Sequence, residues 1–294
     1  MGIRSDGGRG AGGRRAGGFG PRRALAVMAM YARMDLGALL RDTKFMVIAV
    51  ISDICSDVSA IFGVFLIAWR FGGIGGLDRY EVLFMLAFGG IVNGVIAVMD
   101  RGNASFPSRI IGRGQWEHMF IMPLPYWAQM AVGFFPFTCS GRLVSGAALM
   151  AVAVANLPMA LPWWWAPMLL ANVLIGVAVV VGLSYLVSSL AFYAPTQCEE
   201  IASSLRYSLE YTATFPLSGM PGFMRSALLS AFPAGLIAWF PSMALLGRHP
   251  LSSGLYSAAF AAAVAMAASF FFRKGFRHYV RRGINRYMPG GHRN

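Results

Sequence analysis

Charge is what this chain has least of, and acidic charge least of all. Only 13% of the 294 residues are charged, with 12 Asp and Glu against 25 Lys and Arg. A soluble protein carries about a quarter. The shortage excludes a pair of soluble domains, and no stretch between the apolar runs is long enough to hold one. Cysteine is equally scarce. Cys55, Cys139 and Cys198 stand far apart, which excludes a disulfide framework and a CxxC metal pattern. The four histidines (His118, His249, His278 and His292) all fall in expected loops or tails. With no intramembrane His to face a Ser, an intramembrane serine hydrolase is excluded, and Cys139 to Gly141 reads as a turn. No glycine-rich loop ends in Lys-Ser/Thr, so the chain has no P-loop. The cluster Gly72-Gly73-Ile74-Gly75-Gly76 reads instead as a flexible outer loop.

What the chain does have is apolar length. Hydrophobic residues make up 57% and the mean hydropathy is +0.58. A run of about 18 or more apolar residues spans a bilayer as a helix, because some 20 residues at about 1.5 Å each cross a core of about 30 Å. Such runs lie near 45–69, 82–99, 143–161, 163–192 and 251–272. Between the last two, 201–217 carries Arg206 and Glu210, and 223–246 is broken by Pro233 and Pro241. Either 201–217 crosses and the proline-broken piece re-enters from outside, or the proline-broken piece crosses. Non-helical backbone at membrane depth must be buried in protein or line a cavity. The expected fold is all-α: a polytopic transmembrane bundle of six spans, both termini cytoplasmic, with a re-entrant proline-broken segment before the last span.

Arginine placement orients the bundle. Nine Lys and Arg lie in the segment ending at Lys44, and seven lie from Arg273 onward. Arg101, Arg109, Arg113, Arg142 and Arg206 fall in the other inner connections, leaving Arg70, Arg79, Arg225 and Arg248 outside. Loops rich in Lys and Arg stay cytoplasmic. The net charge of +13 flanks apolar runs instead of covering one soluble face, so no nucleic-acid partner is expected. Residues 1–23 read as a disordered Gly/Arg-rich tail, and 284–294 as a flexible basic one. The arginine pairs near the start do not make a cleaved export signal, and Met28 or Met30 is a candidate translation start. Residues 24–44 read as an amphipathic helix lying in the inner interface.

Two constellations carry possible chemistry. Asp53 and Asp57 lie four apart inside the first run, with Ser52 and Ser56 assigned to the same face. Carboxylates at that depth must face the bundle interior, a cavity or a partner. They read as a cation or proton site, as a substrate-attracting face, or as a pair satisfied by another helix. The second constellation is Arg109 to Gln129, where a short cytoplasmic helix would expose Trp116, Met119 and Phe120 beside Arg113 and Glu117. Such a helix either lies on lipid or docks a soluble partner.

That second stretch resembles the coupling region of ABC exporter permeases of the ABC-2 kind, in the small six-span subfamily without a fused ATPase. Gly114, Gln115, Trp116 and Glu117, then Phe120, Ile121, Met122, Pro123, Leu124 and Pro125, follow that subfamily's pattern, with Trp116 replacing a usual Leu. Phe215-Pro216-Leu217, the segment from Phe232 to Gly247, and Phe272, Gly275, Phe276 and Tyr279 near the end follow it too. The resemblance implies a permease domain over 24–283, with a coupling region at 104–125 using Arg109, Arg113, Gly114, Trp116, Glu117, Phe120, Pro123 and Pro125. It implies a separate cytoplasmic ATPase dimer that holds ATP and Mg, with no cofactor in this chain. It also implies a second permease subunit (the same chain or a related one), a membrane-lipid environment, and a re-entrant gate at Pro233 and Pro241. Trp116 would fill a pocket on the ATPase and Glu117 would bond to it. The expected activity is export of a small or amphipathic substrate across the cell membrane, the inner membrane of a bacterium. Two other readings stand beside it: an ion- or proton-coupled carrier using Asp53 and Asp57, and a membrane anchor for a soluble enzyme.

Overall fold

The computed structural model describes residues 26–282 except 28, 31–32, 35, 38–39, 100–106, 115, 122–128, 130–139, 159–160, 214, 231 and 249. Both expected tails, Cys139, Pro123, Pro125, His249 and His292 lie outside the described residues, as does the side chain of Phe120. The order is α1 (Thr43–Phe71), β1 (Gly73–Ile74), β2 (Leu77–Asp78), α2 (Arg79–Met99), α3 (Pro107–Gly112), α4 (Trp116–Ile121), α5 (Gly141–Asn156), α6 (Trp165–Ser188), α7 (Pro195–Thr212), α8 (Gly222–Ser230), α9 (Trp239–Leu245) and α10 (Pro250–Arg282). The protein is an all-α polytopic bundle with one small hairpin.

Local chemistry sets the boundaries. The Asp42 side chain accepts from the Phe45 backbone N at 3.2 Å, which starts α1 after the helical stretch that precedes it. At the other end Gly72 takes a left-handed conformation and stops it. Gly75 and Gly76 have φ of 62° and 80°, the pair of positive values that a tight two-residue hairpin turn requires. The glycine cluster is therefore the turn of a short β-hairpin. Asp78 and Glu81 then cap α2 reciprocally, with the Tyr80 N donating to Asp78 and the Asp78 N to Glu81.

Four helices among the described residues are long and apolar enough to cross a membrane: α1, α2, α6 with its following 3-10 turn (Ser189–Phe192), and α10. The bent pair α8–α9 makes a fifth at most. The third expected span is shorter than its sequence reading. Pro158 forces Leu157 into extended backbone, so α5 ends at Asn156 and not near residue 161. Its 16 residues reach about 24 Å.

Glycine brings the helices together. A Cβ at Gly94 of α2 would lie 2.6 Å from the Leu143 backbone N, and one at Gly146 of α5 would lie 2.8 Å from that of Ile91. At Gly182 of α6 it would meet Val264 of α10 at 2.9 Å. Small residues permit this backbone approach, which gives lipid-embedded helices their dispersion contact.

The chain's path between α7 and α10 decides which segment traverses the bundle. At its start, α7 pairs Glu199 with Arg113 beside α3. After its end, the turn Leu217–Gly219 packs against the hairpin so closely that a Cβ at Gly75 would overlap the Gly219 backbone. So α7 and its turn run from the α3–α4 end to the hairpin end. The segment from α8 to α9 begins and finishes at the hairpin end. Arg225, Ser218 and Arg248 line one cavity there with Gly75, and Arg248 donates to the Gly76 carbonyl at 3.0 Å and binds Glu81 at 2.8 Å. In between, α8 and α9 bend by 73°. The bend reaches inward until a Cβ at Gly176 would touch the Ile237 carbonyl at 3.0 Å. Pro233 marks the break, while Pro241 sits in the first turn of α9, where proline is tolerated. Of the two prolines, only Pro233 interrupts the backbone.

Candidate functional site

At the end opposite the hairpin, α3 and α4 are joined through Gly114, whose φ is 74°. That reversal turns α4 back against the chain. Trp116, the first residue of α4, is 1% exposed and makes edge contacts with Phe192, Phe272 and Phe276 at 5.9, 5.9 and 6.2 Å. Ile110, Ile111, Cys198 and Tyr279 complete this aromatic knot. Trp116 is thus an internal anchor and not an exposed side chain for a partner's pocket. The sequence reading placed it outward because an isolated amphipathic helix shows only that it has an apolar side, not what covers it.

Electrostatics reinforce the knot. Glu199 of α7 receives Arg113 at 3.3 Å and Arg109 at 3.7 Å. Glu117 accepts from the Tyr279 hydroxyl of α10 at 3.3 Å. Glu117 and His118 are exposed, and Ile121 is 82% exposed. The short helix α4 is therefore clamped on one side to the ends of α6, α7 and α10, and open on the other. Glu199, Phe192 and Tyr279 were absent from the expected coupling set, because their partners lie far away in sequence.

The second site lies inside the bundle. Arg142, the second residue of α5, binds Asp53 through Nε at 3.3 Å, and its backbone N donates to the same carboxylate at 2.9 Å. Arg142 also pairs with Glu210 of α7, and the Ser145 hydroxyl donates to Asp57. One guanidinium thus ties α1, α5 and α7, with side chains 20–30% exposed. Asp53 and Asp57 do face the bundle, as carboxylates at such depth must. Ser52 and Ser56 are exposed and belong to a neighbouring side of α1. Arg142 is a correction as well: it is a half-buried counter-charge within α5 and not a loop charge that helps to orient the chain. The only signal in the sequence was Arg142 itself, a cation at the mouth of one run that can balance part of the acid inside the bundle.

Among the described residues no group of three or more His, Cys, Asp or Glu side chains is arranged to hold a metal ion. Residues 55–283 match the family described as ABC-2 family transporter protein. No curated protein and no solved structure matched the chain. A many-helix membrane bundle whose family match runs from the middle of α1 past the end of α10 is a transport component, and this chain belongs to the ABC-2 transporter family.

Proposed function

We propose that this permease subunit is driven by a cytoplasmic ABC ATPase dimer docking on the open side of α4, and that it exports a small or amphipathic molecule. Permeases of this family work with an ABC ATPase. The observation that carries the docking assignment is the burial of Trp116. A motor needs a rigid element to push, and the Trp116 knot joins α4 directly to the ends of α6 and α10. Glu117, His118 and Ile121 form the side left for the ATPase, which holds the ATP and Mg.

Six crossings follow if α5 also crosses and α7 is the fifth. The charges of α7 support this assignment, because Glu210 finds a cation, Arg142, inside the bundle. The re-entrant α8–α9 pair then gates the outer mouth around Pro233, with both termini cytoplasmic in the cell membrane. The exposed side of α1, with Ser52 and Ser56, is where a second permease subunit would sit. A carrier built on Asp53 and Asp57 has less support, since Arg142 and Ser145 already engage both carboxylates.

The test is co-purification with the ATPase and substrate export in the Glu117→Arg variant. The charge reversal on the exposed side of α4 should detach or uncouple the motor while the bundle stays folded. Unchanged ATPase association and transport would overturn the docking assignment. Asp53→Asn with Asp57→Asn separates the carrier reading, because ATP-driven export should survive it if those carboxylates are structural.

A further inference from the structure

Helix α10 has 33 residues and is about 50 Å long, so it outruns a hydrocarbon core of about 30 Å and must carry its basic end into the headgroup layer. One side of that end is used internally: Phe272, Phe276 and Tyr279 face the Trp116 knot. Another side forms an open groove of about 1080 Å³. Its wall changes character along the helix. Ala265, Met266 and Phe270 come first, followed by Arg273, Lys274, Arg277 and Arg281. Tyr193 closes the groove from the turn after α6, with its ring 4.6 Å from the His278 imidazole. All four cations are exposed, and among the described residues none forms an ion pair with a carboxylate.

From this juxtaposition we infer that the groove is a binding site for an anionic phospholipid. The headgroup phosphate sits among Arg273, Lys274 and Arg277, and an acyl chain runs along Met266 and Phe270. A guanidinium presents two parallel donors to a phosphate, and the neighbouring ammonium adds a point charge. The step from apolar to cationic wall matches the step from acyl chain to headgroup. A soluble anion would use the charges alone and leave the apolar half of the groove without a role. Clusters of cations at the cytoplasmic end of a span attract acidic lipids by this means. The inference rests on the basic end of α10 lying at the membrane surface and not on docking of the ATPase at α4, so the two fail separately. Its consequence is mechanical: the lipid would brace the helix that holds Trp116 and Glu117 in place.

The test is native mass spectrometry of the full chain, stripped of lipid in detergent and titrated with phosphatidylglycerol or phosphatidylcholine. The wild type should retain phosphatidylglycerol in preference. Each cation neutralised among Arg273→Gln, Lys274→Gln and Arg277→Gln should weaken retention about fivefold. Met266→Ser with Phe270→Ser should weaken it too, with every charge intact. Excess inorganic phosphate should leave the lipid in place. Arg70→Gln, at the other end of the bundle, should change nothing. Equal retention of the two lipids, or full retention by the triple variant, overturns the proposal. Displacement by inorganic phosphate with no effect of the Met266 and Phe270 changes identifies a soluble-anion site and overturns it as well. Arg277→Gln alone, on an exposed side chain, keeps the measurement usable if the triple variant is not recovered.

Discussion

Helices α1 and α2 are neighbours with almost the same mean hydropathy, 1.9 and 2.0, and they behave as opposites. Of α1's apolar window 6% is buried inside the chain, against 61% for α2. Hydropathy measures only whether a helix tolerates lipid. Burial follows shape, and α2 presents Gly90 and Gly94 to α5, where the backbones nearly touch. A Cβ at Gly63 of α1 would meet nothing within 4 Å. Beyond Ile61, Val64 and Ala68, which reach the core, what holds α1 is polar: Asp53 on Arg142 and Asp57 on Ser145. One span is fixed along its length by contact, the other by a few core residues and an ion pair, although their compositions look alike.

The largest expected effect comes from removing the charge that holds α1. Arg142→Met leaves Asp53 and Glu210 without their cation and should cost about 3 kcal/mol or more, read as unfolding free energy in detergent or bicelles. Adding Asp53→Asn and Glu210→Gln should recover much of that loss, because neither of the two carboxylates that Arg142 pairs with is then left without its cation. If the single change is harmless, α1 is not held by charge and the contrast collapses. Gly94→Leu attacks α2 by shape. It forces a side chain against the Leu143 backbone, which cannot move aside as a flexible side chain can, and should cost about 1–3 kcal/mol. A melting temperature equal to that of the wild type would show that α2 and α5 do not approach as closely as described. The smallest effect belongs to Gly63→Leu, expected within about 0.5 kcal/mol for the single chain. The same variant sharpens the contrast in assembly: if a second permease subunit covers that side of α1, cross-linking between subunits drops while chain stability holds.

How much of this was legible in the sequence differs by site. The apolar runs at 45–69 and 82–99 gave α1 and α2 nearly to the residue, because length and hydropathy are local properties. The turn at Gly75 and Gly76 could have been read more closely, since consecutive glycines before Leu-Asp-x-x-Glu are a turn followed by a helix cap. Trp116 could not. Its burial depends on Phe192, Phe272 and Phe276, which are distant in sequence and become neighbours only after α6 and α10 have packed. For Asp53, the sequence demanded a partner without naming one. Arg142 and Glu210 were both visible as charges, yet nothing local tied either to the first span.

The sequence by itself determined the class, the main apolar helices and the family, all of which follow from runs of apolar side chains, the residues between them and a linear pattern. Only the tertiary structure decided which segment traverses the bundle. Residues 201–217 carry charge and look like the poorer span, whereas 223–246 are apolar and look like the better one. In the fold it is 201–217 that runs from one end of the bundle to the other, with Glu210 paired to Arg142, while Pro233 turns the apolar segment back toward the hairpin. Hydropathy scores each segment against lipid alone. A segment that crosses among its neighbours is solvated by them, and that solvent exists only once the chain has folded.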